Sequence, residues 1–486
     1  MSLNSALSIA SSGLQVAQAG LKVTSDNVAN VNTPGYVRKV ADQQSVYVAG
    51  QGGLGVSIAQ IRTASDTFLQ AASRLASADA SSAQAVSDTL DQAQQLFGDP
   101  NGTSGLFSQL NGMFQGFIAL AAAPSSSTRA AAVPQAQALF DQASDIGDQL
   151  GDLRSQATSR IGADVDTVNG LLSQIDGLNA DISRATALGQ DASGAQDQQS
   201  QALDKLAALL PVQVDQRSGG GVVVRSADGL TLAGAGGAAT LSYDGSGAAG
   251  RFTATSASGV AFAMTTPGSG EIGGLAKLRD TSLPAMTAQL SELVGGAASA
   301  LNAVHNQYSA VPPPVSMTGR DTGLDADTAL SHFTGQETLA VTDATGAPLT
   351  AAVIDFDAKT VSVNGAVVGS FTDAASFTST LNSALNGAAT VDFTKSPATL
   401  VSSDTSSSSS KRLVLAGGAL QADGTFQGAP ATKAGQGFSA WFGLNDVVSS
   451  SGLSSYATGL QPADASGYSG GAISLRLTAP DGSTLR

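Results

Sequence analysis

The sequence predicts a multidomain α+β fold: an N-terminal coiled-coil helix, an elongated α-helical bundle domain with a small β insertion, and an outer, mainly-β domain. Three observations support this class. Apolar residues repeat with a period of 3.5 near the N terminus, they recur every three or four positions over 134–182, and the period switches to two from residue 212. The first two patterns are typical of helices, and a period of two is typical of strands.

A chain of 486 residues is too long for one compact core, so several domains are expected. The predicted division, in chain order, is 1–45 for the heptad helix and the motif that follows it, 46–310 for the helical bundle with a β-hairpin at 46–61 and a β insertion at 212–270, and 311–486 for the outer domain. The sequence stops within a strand-like segment, without a second heptad helix. We therefore expect the outer domain to be incomplete.

The N-terminal helix carries the most informative pattern. Its apolar positions are separated by four and three residues in alternation, with Thr24 in one slot, and they form a seam of Leu3, Leu7, Ala10, Leu14, Ala17, Leu21 and Val28. A straight isolated helix drifts away from this period, so the seam predicts packing against a partner helix. Because a lone helix of this length is marginal in water, we expect residues 1–32 to be disordered or weakly helical in a monomer.

Helical periodicity also marks three later stretches. Apolar stripes run over 68–97, 140–182 and 286–304, and we expect them to meet in one helical core. Pro134 suits the first turn of the longest of these helices. Shorter helices are expected at 105–122 and 196–210.

Composition excludes several classes of function. The 38 acidic residues outnumber the 23 basic ones, for a net charge of −15. This argues against a nucleic-acid partner, which is bound mainly through Lys and Arg, and against an anionic membrane surface. The absence of cysteine excludes disulfides and Cys-ligated metals. No run of eighteen apolar residues predicts a transmembrane helix, and the N terminus does not resemble a secretory signal.

Two glycine-rich matches to catalytic motifs have simpler interpretations. Residues 50–55 satisfy G-x-G-x-x-G, but a strand-like stretch follows where a dinucleotide site needs a helix. Residues 467–471 satisfy G-x-S-x-G, but a nucleophile elbow needs a later His, and neither His305 nor His332 follows it. Turns are the better interpretation of both.

The remaining polar residues offer little chemistry. The two histidines lack metal-ligand spacing, and Asp321, Asp325 and Asp327 lack the spacing of a calcium loop. We expect a solvated acidic loop there, no cofactor, no metal site and no enzymatic activity. Trp441 and Phe442 are expected in the core of the outer domain.

The segment after the seam carries a family resemblance. Residues 25–36 read Ser-Asp-Asn-Val-Ala-Asn-Val-Asn-Thr-Pro-Gly-Tyr, which resembles the N-terminal motif of bacterial flagellar rod, hook and hook-associated proteins. The motif positions are Asn27, Asn30, Asn32, Thr33, Pro34, Gly35 and Tyr36. Four later segments resemble the hook-associated protein 1 family (FlgK), and a fifth does so more weakly; they lie at 96–111, 149–182, 201–214, 272–280 and 442–446.

The resemblance implies a structural subunit at the hook–filament junction of the bacterial flagellum that allows filament assembly and hence motility. It implies a secreted, extracellular location reached through the flagellar type III export apparatus. The implied partners are other copies of the chain in a ring, hook subunits, and adjacent hook-associated and filament proteins. Members of the family end in a helix that pairs with the N-terminal helix, and we expect that helix to be absent from this chain.

Two alternatives stay open. One is a different axial subunit of the hook or rod, which the long helical segment at 134–210 disfavours because the resemblance implies mostly β structure for those subunits outside their termini. The other comes from a separate class, an exported cell-wall hydrolase. A peptidoglycan-degradation assay on purified protein discriminates it from a structural subunit.

Overall fold

A computed structural model describes residues 3–32, 36–48, 52–63, 66–123, 125–309, 313–405, 411–421, 424–450, 475–478 and 484–485. The fold mixes long helices in the N-terminal region with many short strands, in agreement with the predicted α+β composition. The chain forms two compact units. One contains residues 1–96 and 149–285, and the other contains residues 97–148 and 286–486.

The helices of the described residues, in chain order, are α1 (Leu3–Ala29), α2 (Thr67–Phe97), α3 (Leu106–Ala122), α4 (Ser126–Ala187), α5 (Ser193–Leu209), α6 (Gly270–Lys277), α7 (Leu283–His305), α8 (Ala326–Leu330), α9 (Ala374–Leu385) and α10 (Phe438–Phe442). A π-helical turn, Leu278–Ser282, lies between α6 and α7.

The strands of the described residues are β1 (Lys39–Val48), β2 (Gly52–Thr63), β3 (Val212–Gln216), β4 (Val222–Ser226), β5 (Thr231–Ala233), β6 (Thr240–Asp244), β7 (Arg251–Thr255), β8 (Ala261–Met264), β9 (Ser316–Thr318), β10 (Gln336–Thr342), β11 (Pro348–Asp355), β12 (Thr360–Val363), β13 (Ala366–Ser370), β14 (Ala389–Asp392), β15 (Thr399–Ser402), β16 (Arg412–Gly417), β17 (Ala419–Leu420), β18 (Phe426–Gln427), β19 (Thr432–Lys433), β20 (Gln436–Gly437), β21 (Val448–Ser450), β22 (Leu475–Thr478) and β23 (Thr484–Leu485).

The N-terminal helix is folded rather than weakly helical. Strands β1 and β2 form an antiparallel hairpin from the Lys39–Thr63 pair to the Val48–Gly52 pair, longer than the predicted 46–61. Helix α1 packs one face on this hairpin, where Val16 is buried. The expectation of disorder is therefore wrong for the described part of α1, because the hairpin supplies the packing that an isolated helix lacks.

Helix α4 is longer than predicted. It spans 62 residues and contains Pro134 in its interior rather than in its first turn. Ala132 and Ala136 are buried on either side of this proline, so packing holds the helix together where proline removes a backbone donor. The predicted apolar stripe is confirmed within the first unit, where Ile161 and Leu172 are fully buried.

The predicted packing face of α2 is wrong in its first half. Phe68 and Leu69 are 87% and 70% exposed, whereas the buried residues of α2 are alanines such as Ala85. The middle of α2 instead approaches the backbone of α6 closely, since a Cβ placed on Gly274 of α6 would lie 3.1 Å from the Cα of Ser82. Small side chains permit this approach, so the large apolar residues of α2 do not mark its packed face.

The β insertion has the predicted place. Strands β3–β5 form one three-stranded antiparallel sheet and β6–β8 form another, both within 212–270. The buried Arg279 of the π-helical turn joins the β6–β7 loop to α4. Its guanidinium donates to the carbonyl of Gly247 at 2.6 Å and to the Thr158 hydroxyl at 3.0 Å.

The second unit contains α3, the first part of α4, most of α7 and the outer sheets. The stripe at 149–182 lies in the first unit and the stripe at 286–304 lies in the second, so the unit boundaries differ from the predicted division at residue 310. The reason is the end of α7, where the buried Asn302 donates to the carbonyl of Val448 at 2.6 Å.

The outer part of the second unit is built on a five-stranded sheet in the order β13-β12-β11-β10-β16, with a smaller sheet in the order β14-β15-β9. Its core is rich in aromatic rings, as shown by Phe377 and Phe438, which are fully buried. Trp441 and Phe442 are buried in the same core, which confirms their predicted place.

None of the helices in the described ranges combines the length and the hydrophobicity that crossing a membrane requires.

Candidate functional site

The two faces of α1 have opposite environments. The predicted seam is exposed: Leu7, Leu14, Leu21 and Val28 are 71%, 62%, 69% and 69% accessible. The smaller seam residues Ala10 and Ala17 are exposed too, whereas the side chain of Leu3 lies outside the described part of the structure. The opposite face, with Ile9 half-buried and Val16 and Val23 buried, packs toward the hairpin.

Polar contacts fix α1 to the hairpin at one close approach. The Ser12 hydroxyl donates to the carbonyl of Ile9 at 2.8 Å and accepts the N–H of Val56 at 3.2 Å. Gly55 lies directly over Ser12 with φ of +124°, and a Cβ there would overlap the Ser12 hydroxyl. Only glycine adopts this positive φ without strain and also leaves room for the hydroxyl.

Asn27 of the family motif clamps the chain after α1. Its Oδ1 accepts the N–H of Lys39 at 2.8 Å and the Tyr36 hydroxyl at 2.9 Å, while its Nδ2 donates to the carbonyl of Lys39 at 2.9 Å. One side chain thus satisfies both backbone groups of the first residue of β1. The clamp fixes the direction in which the chain leaves the helix.

The other motif residues have local roles or lie outside the description. Asn30, directly after α1, donates to the carbonyl of Asp26 in the last turn of the helix at 2.9 Å. Asn32 is exposed. The predicted motif positions Thr33, Pro34 and Gly35 fall outside the described residues.

A largely buried ion pair joins the clamp to α5. The Lys39 Nζ lies 2.7 Å from the Asp197 carboxylate, with side chains only 10% and 13% exposed, and 5.6 Å from the centre of the Tyr36 ring. Burial lowers the pKa of Lys39, but its hydrogen bond and charge interaction with Asp197 outweigh burial, so the pKa is raised above its ordinary value. The ammonium therefore stays charged across the physiological range.

Sequence reasoning missed the buried face of α1, although the signal was present. Ile9, Val16 and Val23 recur at intervals of seven, two residues after Leu7, Leu14 and Leu21. A helix with two heptad stripes on opposite sides is typical of one that packs on both. The partners Lys39 and Asp197 are 158 residues apart and left no signal in the sequence.

The residues considered for chemistry have structural roles. Asp325 caps α8 through the N–H of Thr328 at 2.9 Å, and Asp327 accepts the N–H of Ala374 at 2.7 Å. His305 contacts the carbonyl of Asn445 through Nδ1 at 2.6 Å. Across the ranges that the structure describes, no three His, Asp or Glu side chains are grouped as metal ligands would be.

The two glycine-rich motifs are only partly described. Residues 50 and 51 of the first fall outside the described residues, and β2 begins directly after them, in agreement with the hairpin interpretation. Residues 467–471 of the second also fall outside the described residues.

An uncovered apolar stripe on an otherwise anchored helix is typical of a subunit that assembles through its terminus. Comparisons with known families agree with this class. Residues 90–310 match the family described as flagellar hook-associated protein FlgK helical domain, and residues 7–36 match the flagella basal body rod protein family.

Individual relatives point to the same family. Flagellar hook-associated protein 1 of Escherichia coli (strain K12) is 29% identical over 62% of this chain and 57% of the relative, and the Bacillus subtilis (strain 168) protein of that name is 28% identical over 46% of each. The chain thus spans about half the length of these curated relatives. The resemblance to hook-associated protein 1 indicated by the sequence is confirmed.

Among solved structures, the flagellar hook junction protein FlgK from Burkholderia pseudomallei is similar over 79% of this chain and 67% of that one, with 19% identity and a TM-score of 0.46.

Proposed function

We propose that this chain is a structural subunit of the bacterial flagellum that forms the hook–filament junction and allows the filament to assemble. The observation that carries the proposal is the exposed seam of α1, on a helix whose opposite face is already buried. Its partners are other copies in a ring, hook subunits, and adjacent hook-associated or filament proteins. The subunit is exported by the flagellar type III apparatus, acts outside the cell and carries no enzymatic activity.

The seam residues supply the driving force for assembly. Complete burial of a leucine or valine side chain contributes about 1.5–3 kcal/mol, and four such side chains of the seam are more than 60% exposed. The flanking positions of α1 carry few charges, with Lys22 and Asp26 as its ionisable side chains. Association through this face therefore depends on apolar contact and on knobs-into-holes packing with neighbouring helices.

The motif residues have a different role in this proposal. Asn27, Tyr36 and Lys39 set the angle between α1 and β1, so that the seam of each copy points in the same direction relative to its hairpin. A repeated assembly requires this uniformity, because every copy must present the same surface to its neighbour. We also propose that α1 lies in the inner layer of the assembly.

The two faces of α1 allow a matched test. Leu14→Asp places a charge on the exposed face, where the monomer tolerates it, but where assembly must bury it at high cost. Val16→Asp places the same charge on the buried face and should weaken the packing of α1 on the hairpin in the monomer. Gln15→Asp, at an exposed position outside both faces, is the charge control.

We expect Leu14→Asp to leave the circular dichroism spectrum and melting temperature of the monomer unchanged. In cells it should block filament growth beyond the hook, so that filament subunits are lost to the medium and the cells do not swim. Gln15→Asp should permit full filaments. Export of each variant is measured separately. Normal export of Leu14→Asp together with full-length filaments would show that the seam is not an assembly surface.

A further inference from the structure

The end of α7 carries two asparagines, one helical turn apart, that the proposed function leaves without a role. Asn302 and Asn306 are both buried, at 5% and 9% exposure. The Asn302 Oδ1 accepts the N–H groups of Val447 and Val448, each at 2.9 Å, while its Nδ2 donates to the carbonyl of Val448 at 2.6 Å. The side chain therefore pairs with this backbone as a neighbouring strand would.

Asn306 makes the second set of bonds to the same segment. Its Oδ1 accepts the Ser439 hydroxyl at 2.7 Å and the N–H of Asn445 at 3.0 Å, and its Nδ2 donates to Asp446 Oδ1 at 2.7 Å. In return, Asn445 Nδ2 donates to the carbonyls of His305 at 3.2 Å and Tyr308 at 2.7 Å. These carbonyls lie at the helix end, where intrahelical donors run out.

Two residues of the receiving segment, Asn445 and Asp446, belong to the Phe442–Asp446 motif, whose resemblance to the family was the weakest. Gly443 ends α10 with φ of +65°, and a Cβ on it would lie 2.5 Å from the Asp446 carboxylate. The same carboxylate lies 3.5 Å from the Arg320 Nε. Glycine at this position therefore lets the chain turn tightly enough to present Asn445 and Asp446 side by side to α7.

The chain on both sides of residues 310–312 is also bonded to one strand of the outer sheet. The Ser309 hydroxyl donates to the carbonyl of Leu415 at 2.8 Å, and the N–H of Leu413 donates to the carbonyl of Pro314 at 2.8 Å. Arg412 adds a bond to the carbonyl of Pro313 at 2.8 Å. The outer sheet therefore holds the end of the helix and the start of the next segment independently.

We propose that this network, which we call the α7 latch (Asn302 and His305 on α7 and Asn306 directly after it, with Ser439 and Asn445–Val448), locks α7 and the outer sheets into one rigid body. The latch sets the orientation of the outer sheets on α7. A buried network whose members are mutually bonded is directional, so it specifies one arrangement where apolar packing alone permits several. This inference is independent of whether the chain assembles through α1.

The absence of cysteine makes a direct distance measurement possible. Spin labels are placed at Gln289→Cys on α7 and Ala344→Cys in the β10–β11 turn, both exposed. Pulsed electron resonance then gives the distribution of distances between them. We expect a single narrow distribution in the otherwise unchanged chain, marked broadening in Asn302→Ala/Asn306→Ala, and no broadening in the exposed control Gln307→Ala.

A second measurement keeps the test decisive if the double variant unfolds. In the single variant Asn306→Ala, fluorescence of Trp441 verifies that the outer core is intact. Hydrogen exchange at the Asn445 amide should then accelerate about tenfold, the effect of losing a bond worth about 1.4 kcal/mol. The proposal would be overturned by a broad distance distribution in the chain whose latch is intact. It would also be overturned if a folded variant without the latch showed a distance distribution as narrow as that of the original chain.

Discussion

Glu337 of β10 provides the sharpest test of the outer core. Because side chains alternate along a strand, its carboxyl lies on the same face as Leu339 and Val341, which belong to the buried aromatic and aliphatic core. The residue is 4% exposed. Burial raises the pKa of Glu337 from 4.5 to about 8. We predict that Glu337→Gln stabilises the outer domain at neutral and alkaline pH.

The sign follows from proton linkage. Well below pH 4.5 the carboxyl is protonated in the folded and unfolded states alike, so it contributes no pH dependence. Between 4.5 and about 8 the unfolded chain releases a proton that the folded chain retains, so the free energy of unfolding falls as pH rises. The full difference corresponds to a ceiling of roughly 5 kcal/mol at 1.36 kcal/mol per pKa unit.

The assay uses the single tryptophan, Trp441, which lies in the same core. Urea unfolding is monitored through the fluorescence of this tryptophan at roughly even steps of pH across the titration range, about pH 5, 6, 7 and 8. We expect the difference in the free energy of unfolding between the variant and the original chain to be smallest at pH 5 and to grow toward pH 8. Glu292→Gln, an exposed carboxyl on α7, is the control and should change nothing. Parallel pH profiles for Glu337→Gln and the original chain would refute the reasoning.

Three further predictions concern the helical region. Asn27→Ala removes the clamp on β1, so the Lys39 amide should exchange about tenfold faster with solvent; unchanged exchange would show that the clamp is dispensable. Leu172→Ala empties a fully buried site on α4 and should cost about 2–5 kcal/mol in denaturant unfolding, whereas a loss below about 0.5 kcal/mol would place the residue outside a core. Gly55→Ala should lower the melting temperature, whereas Gly13→Ala, in open space on α1, should not.

The parts of the fold that sequence could predict are those specified by large apolar residues at regular spacing. The stripe of α4 from residue 149 to 182 consists mainly of leucine, isoleucine and valine, and the structure buries it. The β insertion could also be predicted, because the period of the apolar residues changes to two where it begins. The face of α2 could not be predicted in the same way, because its packing depends on alanine and on the close approach of Gly274, which hydrophobicity does not register.

Polar contacts depend on the path of the chain, so few of them could be predicted from the order of residues. Asn27 and Tyr36 could be identified from the family motif, but their bonds to each other and to Lys39 follow only from the turn between α1 and β1. The asparagines of α7 had no motif of their own, and their partners lie about 140 residues further along the chain. Such contacts become visible only when the topology brings distant segments together.

The seam of α1 shows that a sequence pattern can identify an apolar face without identifying the surface that covers it. Leu14 and Val16 are both apolar and recur in their own heptad series, yet one is exposed and the other is buried on the hairpin. Periodicity reports that a face avoids water, and it does not distinguish a face covered by the same chain from one covered by a neighbour. The structure of the single chain makes that distinction, because the stripe that stays exposed in it is the one available for assembly.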